Sequence, residues 1–197
     1  MQFLATDVAR GASVPDPSWL ITRPSGAAFL RKLRAELAKA GTNSCVLLDF
    51  AGVQLMDGSF ADEVLGSLGL ERIKKKSALP RMVLAGLNVA SQDNLRYALV
   101  TRAKLERAVP NLVYPVLDSA SHIALIGAFE ASVGETFRLL QRNVTATARD
   151  VQEHFGSRQL AINAASTRLK VLYDLGLAVR SDQREAPGGQ FTYRLPV

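Results

Sequence analysis

The sequence predicts an α/β chain, built on a mostly parallel or mixed sheet with helices, followed by a small α+β domain. Short apolar runs, Cys45 to Phe50 and Arg81 to Leu87, alternate with segments whose apolar residues recur at helical spacing. That alternation is the pattern of βαβ crossovers. Near Phe129 the pattern changes to two further helical segments and a hairpin signal. A length of 197 residues suits two small domains, since domains cluster near about 100–150 residues. The expected organisation is 1–127 for the α/β domain, 128–143 for a linking helix and 144–197 for the second domain.

The elements follow in order. Gly11, Pro15 and Pro17 mark a loop-like opening. Pro24 to Ala40 reads as a helix because Ala27, Leu30, Leu33 and Leu37 recur on one face, with proline at its start and Gly41 at its stop. Cys45 to Phe50, a continuous apolar run, reads as a strand buried on both faces. Ser59 to Lys76 is a helix with Phe60, Val64, Leu65, Leu68 and Ile73 as its stripe; Arg81 to Leu87 repeats the strand and Ser91 to Arg107 the helix. Asn111 to Leu117 is expected at a sheet edge because Pro115 lacks an N–H. Glu130 to Arg142 is a helix.

Composition sets limits. The single cysteine, Cys45, excludes an internal disulfide and a multi-cysteine zinc site. Met1 to Leu20 has no basic stretch followed by an apolar core, and the most apolar later run, Ile123 to Phe129, is far shorter than the roughly 20 residues of a membrane helix. A cytoplasmic protein with no membrane partner is expected. The formal charge of +6 permits an anionic partner, but the residues after Arg142 carry only +2 of it.

In the C-terminal part, Thr147 can cap a helix whose third residue is Asp150, with Ala148, Val151 and Phe155 on one face and Gly156 at the end. After a turn at Ser157 to Leu160, a second helix runs to about Leu175, with Ala165, Leu169 and Leu172 on one face and Asn163, Ser166, Thr167 and Lys170 on the other. Short polar side chains in that row can reach phosphates or base edges in a major groove. Leu177 to Arg184 and Gln190 to Leu195 read as two strands around Pro187-Gly188-Gly189, studded with Arg180, Arg184 and Arg194. Helix, turn, helix and basic hairpin in this order resemble the winged helix-turn-helix domain of bacterial transcription regulators. The resemblance implies duplex DNA as partner and Asn163, Ser166, Thr167, Arg168, Lys170, Arg180, Arg184 and Arg194 as contacts. The same unit could instead serve dimerisation, and a homodimer is expected.

In the N-terminal part, an acid-ended strand, Leu48-Asp49-Phe50, leads through Met56-Asp57-Gly58-Ser59-Phe60 into a helix. The segment resembles STAS domains of anti-anti-sigma factors, and more closely a bacterial STAS-like domain of unknown function. Thr22 to Gly26 fits the same family. The resemblance implies a partner-binding or signal-sensing site around Asp57, Gly58, Ser59 and Glu63, with an ATPase of the histidine-kinase-like fold as partner. Gly58 stands where the family's phosphoacceptor serine stands, and Ser59 follows it. Ser59 is expected to cap its helix, with Asp62 or Glu63 tuning the helix dipole. Asp49, Asp57, Asp62 and Glu63 could form a metal-binding carboxylate group, but Asp62 and Glu63 diverge by about 100° on a helix, which argues against it. No enzyme activity, cofactor or metal is expected. Trp19, Phe50 and Phe60 are expected as core or lid aromatics, and Cys45 as a small core residue.

Overall fold

The computed structural model describes residues 1–42, 44–75, 79–106, 109–118, 122–156, 159–181 and 190–196. The chain divides into two compact units, Met1–Phe129 and Glu130–Val197. The first is mixed α/β. Its five-stranded sheet has the order β1 (Gln2–Leu4), β3 (Cys45–Asp49), β5 (Arg81–Ala85), β6 (Leu112–Leu117), β7 (Ile123–Ala128). The first four strands run parallel, and β7 returns antiparallel to β6. A second, two-stranded sheet pairs β2 (Trp19–Leu20) with β4 (Leu55–Met56), also parallel.

The opening differs from its loop-like reading. Gln2–Leu4 is an edge strand, too short for an alternation to be legible. Ala5–Gly11 is a helix, α1, which buries Ala5, Val8 and Ala9 at i, i+3 and i+4. Helix α2 (Arg23–Lys39) matches its periodicity, burying Phe29, Leu30, Leu33 and Leu37, and Gly41 follows with φ of 73°. The strand β3 is buried at Val46 and Leu48 but only half-buried at Cys45, Leu47 and Asp49, whereas β5 is buried throughout. Trp19, expected as a core or lid aromatic, is 42% exposed; Phe50 and Phe60 are buried.

The helix expected over Ser59 to Lys76 is composite. It comprises α3 (Gly58–Ala61), a π-helical turn (Asp62–Gly66) and α4 (Ser67–Lys75), with Lys76 outside the described residues. The Tyr114 hydroxyl donates to Leu65 O in that turn at 2.8 Å, and Arg102 Nη1 donates to Asp62 O at 2.7 Å. Backbone carbonyls of the widened turn thus take partners from β6 and from α5 (Val89–Leu105). Arg107, the expected end of α5, lies outside the described residues.

The sixth strand is not at an edge. It lies between β5 and β7, and proline fits there for a reason the sequence does not display. Asp118 N–H donates to His122 O at 2.9 Å, so the bonded pairs with β7 fall at alternate positions from there, and Pro115, opposite Leu125, falls in a non-bonded pair. Its missing N–H would point toward β5, whose register with β6 is confined to Val116 and Leu117, beyond the proline.

The second unit holds α6 (Ala131–Arg142), α7 (Ala148–Phe155), α8 (Ile162–Asp174) and an antiparallel pair, β8 (Val179–Arg180) with β9 (Tyr193–Arg194). Ala146 and Tyr193 exchange backbone hydrogen bonds of 2.8 and 2.9 Å, adding a bridge to that pair. The helix expected as a linker, α6, belongs to this unit; its Glu135 meets Arg168 of α8 at 3.4 Å. The capping box at Thr147 and Asp150 is present. Val151, Ala165, Leu169, Leu172 and Leu177 are fully buried, and Gly176 closes α8 with φ of 76°. Ser157 and the hairpin tip, Arg184 with Pro187, Gly188 and Gly189, lie outside the described residues. No described helix is long and apolar enough to cross a membrane.

Burial pushes the Tyr114 phenol well above its ordinary range, because phenolate would lose its hydration there. A phenol with a raised folded pKa adds stability that is complete below the unfolded value of about 10 and is lost as pH rises above it. Spectrophotometric titration of the four tyrosines should therefore show one phenol ionising only together with alkaline unfolding. Tyr114→Phe should remove that component and, by leaving Leu65 O without its phenol donor, cost about 1–3 kcal/mol in urea unfolding.

Candidate functional site

In the first unit the residues singled out by sequence gather at the start of α3. Asp57, not Ser59, is the N-cap: its Oδ1 accepts from Phe60 N–H at 2.7 Å. Ser59 falls inside the helix, two residues past the cap, and is exposed. The expectation failed because Asp57 is pinned by a distant residue as well. Its Oδ2 accepts from Thr22 N–H at 3.2 Å, and its own N–H donates to Leu20 O at 3.0 Å. Thr22, the N-cap residue of α2, has φ of 70° and ψ of 148°. A β-branched residue in that region is strained, and it is held there by the Asp57 bond and by Gly26 N–H donating to Thr22 O at 3.1 Å.

The neighbouring acids are neutralised by arginines. Arg23 meets Asp62 at 2.8 Å and Glu63 at 3.6 Å, and Arg102 meets Asp62 at 2.8 Å. All four carboxylates considered as a metal group thus have partners within the unit, Asp62 and Glu63 sharing Arg23, while Asp49 accepts from Ala51 N–H at 2.9 Å and Gln2 Nε2 at 3.1 Å. Sequence reasoning missed the support that α5 gives this site. Ser91 Oγ accepts from Met56 N–H at 3.0 Å, and Asn94 Nδ2 donates to Met56 O at 3.0 Å. Asn88, three residues before Ser91 and the N-cap of α5, was the available signal.

In the second unit α8 carries its buried row, Ala165, Leu169 and Leu172, opposite exposed Asn163, Ser166, Thr167 and Lys170. Thr167 Oγ1 donates to Asn163 O at 2.9 Å. Lys170 pairs with Asp174 one turn on. Two of the arginines expected to face DNA are engaged within the unit. Arg168 sits 4.8 Å over the Phe155 ring as well as meeting Glu135, and Arg180 lies 4.9 Å from the Tyr173 ring and 4.3 Å from that of Phe191. Arg194 is exposed and donates to Leu195 O at 3.3 Å. Arg149, which the sequence reading did not select, is exposed at the start of α7, and its N–H donates to Gln190 Oε1 at 2.9 Å. A cleft of about 300 Å³ opens between α8 and the segment leading into β9, lined by Asn163, Ser166, Gln190, Phe191 and Tyr193 and otherwise by aliphatic side chains.

Comparison with protein-family models, characterised proteins and solved structures finds no match to this chain.

The difference between Asp57 and Ser59 is measurable. Asp57→Ala should lower the stability of the first unit by about 1–2 kcal/mol, since two backbone donors lose their acceptor. Ser59→Ala should stay within about 0.5 kcal/mol. Urea unfolding of both variants checks the assignment, and a larger loss in Ser59→Ala would reverse it.

Proposed function

We propose that this chain is a prokaryotic regulatory protein whose second unit binds duplex DNA as a winged helix-turn-helix and whose first unit, STAS-like, binds a partner or senses a signal. One observation carries the reading. The helix α8 has one row fixed in a core and the opposite row, Asn163, Ser166, Thr167 and Lys170, open to solvent beside the β8–β9 pair. A helix so held can enter a groove about 12 Å wide with its polar row against base edges.

Magnitudes assign the cations. The Lys170–Asp174 pair is exposed and worth about 0.3–0.5 kcal/mol, so a phosphate can replace Asp174. Arg180 has two ring contacts worth about 0.5–1 kcal/mol each, which favour anchoring the hairpin over gripping a phosphate. Arg168 likewise ties α8 to Glu135 and Phe155. Among the described residues, phosphate contact then falls to Lys170, Arg194 and Arg149, all exposed.

The internal engagement of Arg168, Lys170 and Arg180 favours a second reading, a protein-interaction switch. In it the surface around Asp57, Gly58, Ser59 and Glu63 binds an ATPase of the histidine-kinase-like fold, and the second unit dimerises. The exposure of Ser59 suits a phosphoacceptor there, and a single added phosphate in intact mass, absent from Ser59→Ala, is its expected mark.

Fluorescence anisotropy with a mixed-sequence duplex tests the first reading. Binding should weaken with salt, and Lys170→Ala and Arg194→Ala should each weaken it and flatten the log–log salt slope by about 1. Arg180→Ala should instead lower the thermal midpoint. No binding at low salt removes the DNA reading and leaves the switch.

A further inference from the structure

The cleft between α8 and β9 has a lining that the groove-reading role of α8 does not use up. Its polar groups are two carboxamides and a hydroxyl, from Asn163, Gln190 and Ser166, and its aromatic wall is Phe191 and Tyr193. Among the described residues, no charged side chain lines it. Among the described residues, the Asn163 amide and the Ser166 hydroxyl carry no hydrogen bond. Gln190 spends only Oε1, on Arg149 N–H, and keeps both protons of Nε2. Three side chains therefore offer donors and acceptors into one space of about 300 Å³, the lower end of the range for small-molecule sites.

We propose that this cleft binds one neutral heterocyclic base of the purine or pyrimidine kind. Three features select that chemistry. An uncharged lining gives no compensation to a phosphate or carboxylate, whose desolvation would go unopposed. Carboxamides present a donor and an acceptor side by side, which matches the paired N–H and C=O or ring-nitrogen edges of a base, as in the bidentate contact of Asn or Gln with adenine. Aromatic side chains accept a flat ring against them in a way that does not depend on sequence. The volume of about 300 Å³ is large enough for one base.

The base can come from a free nucleoside or from a nucleic-acid strand that turns one base outward. Asn163 and Ser166 also belong to the face proposed to meet duplex DNA, so an occupied cleft and a groove-seated α8 compete for the same side chains. In that respect alone the inference rests on the DNA reading; the cleft's chemistry stands without it.

Nitrogen-15 NMR of the whole chain tests it, following the side-chain amide signals of Asn163 and Gln190. Adenosine, guanosine, cytidine and thymidine should be titrated singly, followed by a single-stranded tetranucleotide and a blunt duplex. Saturable shifts in both amides, with Kd of about 1 mM for a free nucleoside, support the site with a free ligand. Shifts with the single strand alone support a base delivered by a strand. Asn163→Ala and Gln190→Leu should each weaken the response about tenfold, while Glu153→Ala, exposed and outside the cleft, should leave it unchanged. Inorganic phosphate should not shift these signals. If neither nucleosides nor the single strand perturb them, the inference is wrong even where duplex binding is intact. If nucleosides bind and duplex does not, the DNA reading fails and the cleft stands.

Discussion

The Asp57 carboxylate accepts from Thr22 N–H and Phe60 N–H, so one side chain sets both where α2 enters and where α3 begins, across 35 residues of chain. Much of the first unit's surface follows from that. With both helix starts fixed, Phe29 and Phe60 meet edge to face at 5.2 Å in the core. Gly26 of α2 can approach Glu63 so closely that an added Cβ would lie 3.0 Å from the Glu63 Cβ. Arg23 is then placed over Asp62 and Glu63, and Arg102 reaches Asp62 from α5. The strain at Thr22, of order 1–3 kcal/mol, persists because its N–H and C=O are both held. Without the carboxylate the Thr22 N–H would lose its acceptor, and the segment from Asp57 to Ser59 would lose that link to the start of α2.

In the second unit the corresponding constraint is aromatic. Arg180 on β8, near Tyr173 of α8 and Phe191 before β9, links the helix to both sides of the hairpin. Those strands have only two residues each, and a ladder that short is marginal by itself. The Ala146–Tyr193 bridge and the Arg180 contacts supply the missing stability. An arginine that looks like a phosphate contact in sequence therefore acts first as a fastening.

Legibility in the sequence tracked the range of the interaction concerned. Helices α2 and α8 are legible from periodicity because their apolar residues recur every three or four positions. The Thr147–Asp150 box was read because it spans three residues. Asp57 was not read as a cap because what distinguishes it from Ser59 is the bond to Thr22, far along the chain. Strand β1 has three residues and gains its identity only from β3. The π turn shows itself through Tyr114 and Arg102, which tertiary structure brings to its carbonyls. Pro115 misled because the rule against proline in inner strands concerns which neighbour its missing N–H faces, and that depends on register. For the same reason Gln190 and Arg149 carried no signal: their relation is made by the fold.

On the DNA reading proposed above, charge arithmetic limits what kind of contact the second unit would make. With Arg168 and Arg180 held internally and Arg184 outside the described residues, the exposed cations described on the expected face are Lys170 and Arg194, joined by Arg149. Each neutralised phosphate contributes about 0.9 to the salt slope. A set of three therefore gives a slope near 3, well short of the values of about 10 that phosphate-dominated binders reach. Electrostatic attraction this small gives weak nonspecific binding, so useful affinity has to come from groups that read bases. On α8 those are Asn163, Ser166 and Thr167, and two of them line the neutral cleft. On that reading, the residues proposed to read bases are also the ones a base in the cleft would occupy, so a cleft ligand would compete with the choice of DNA site.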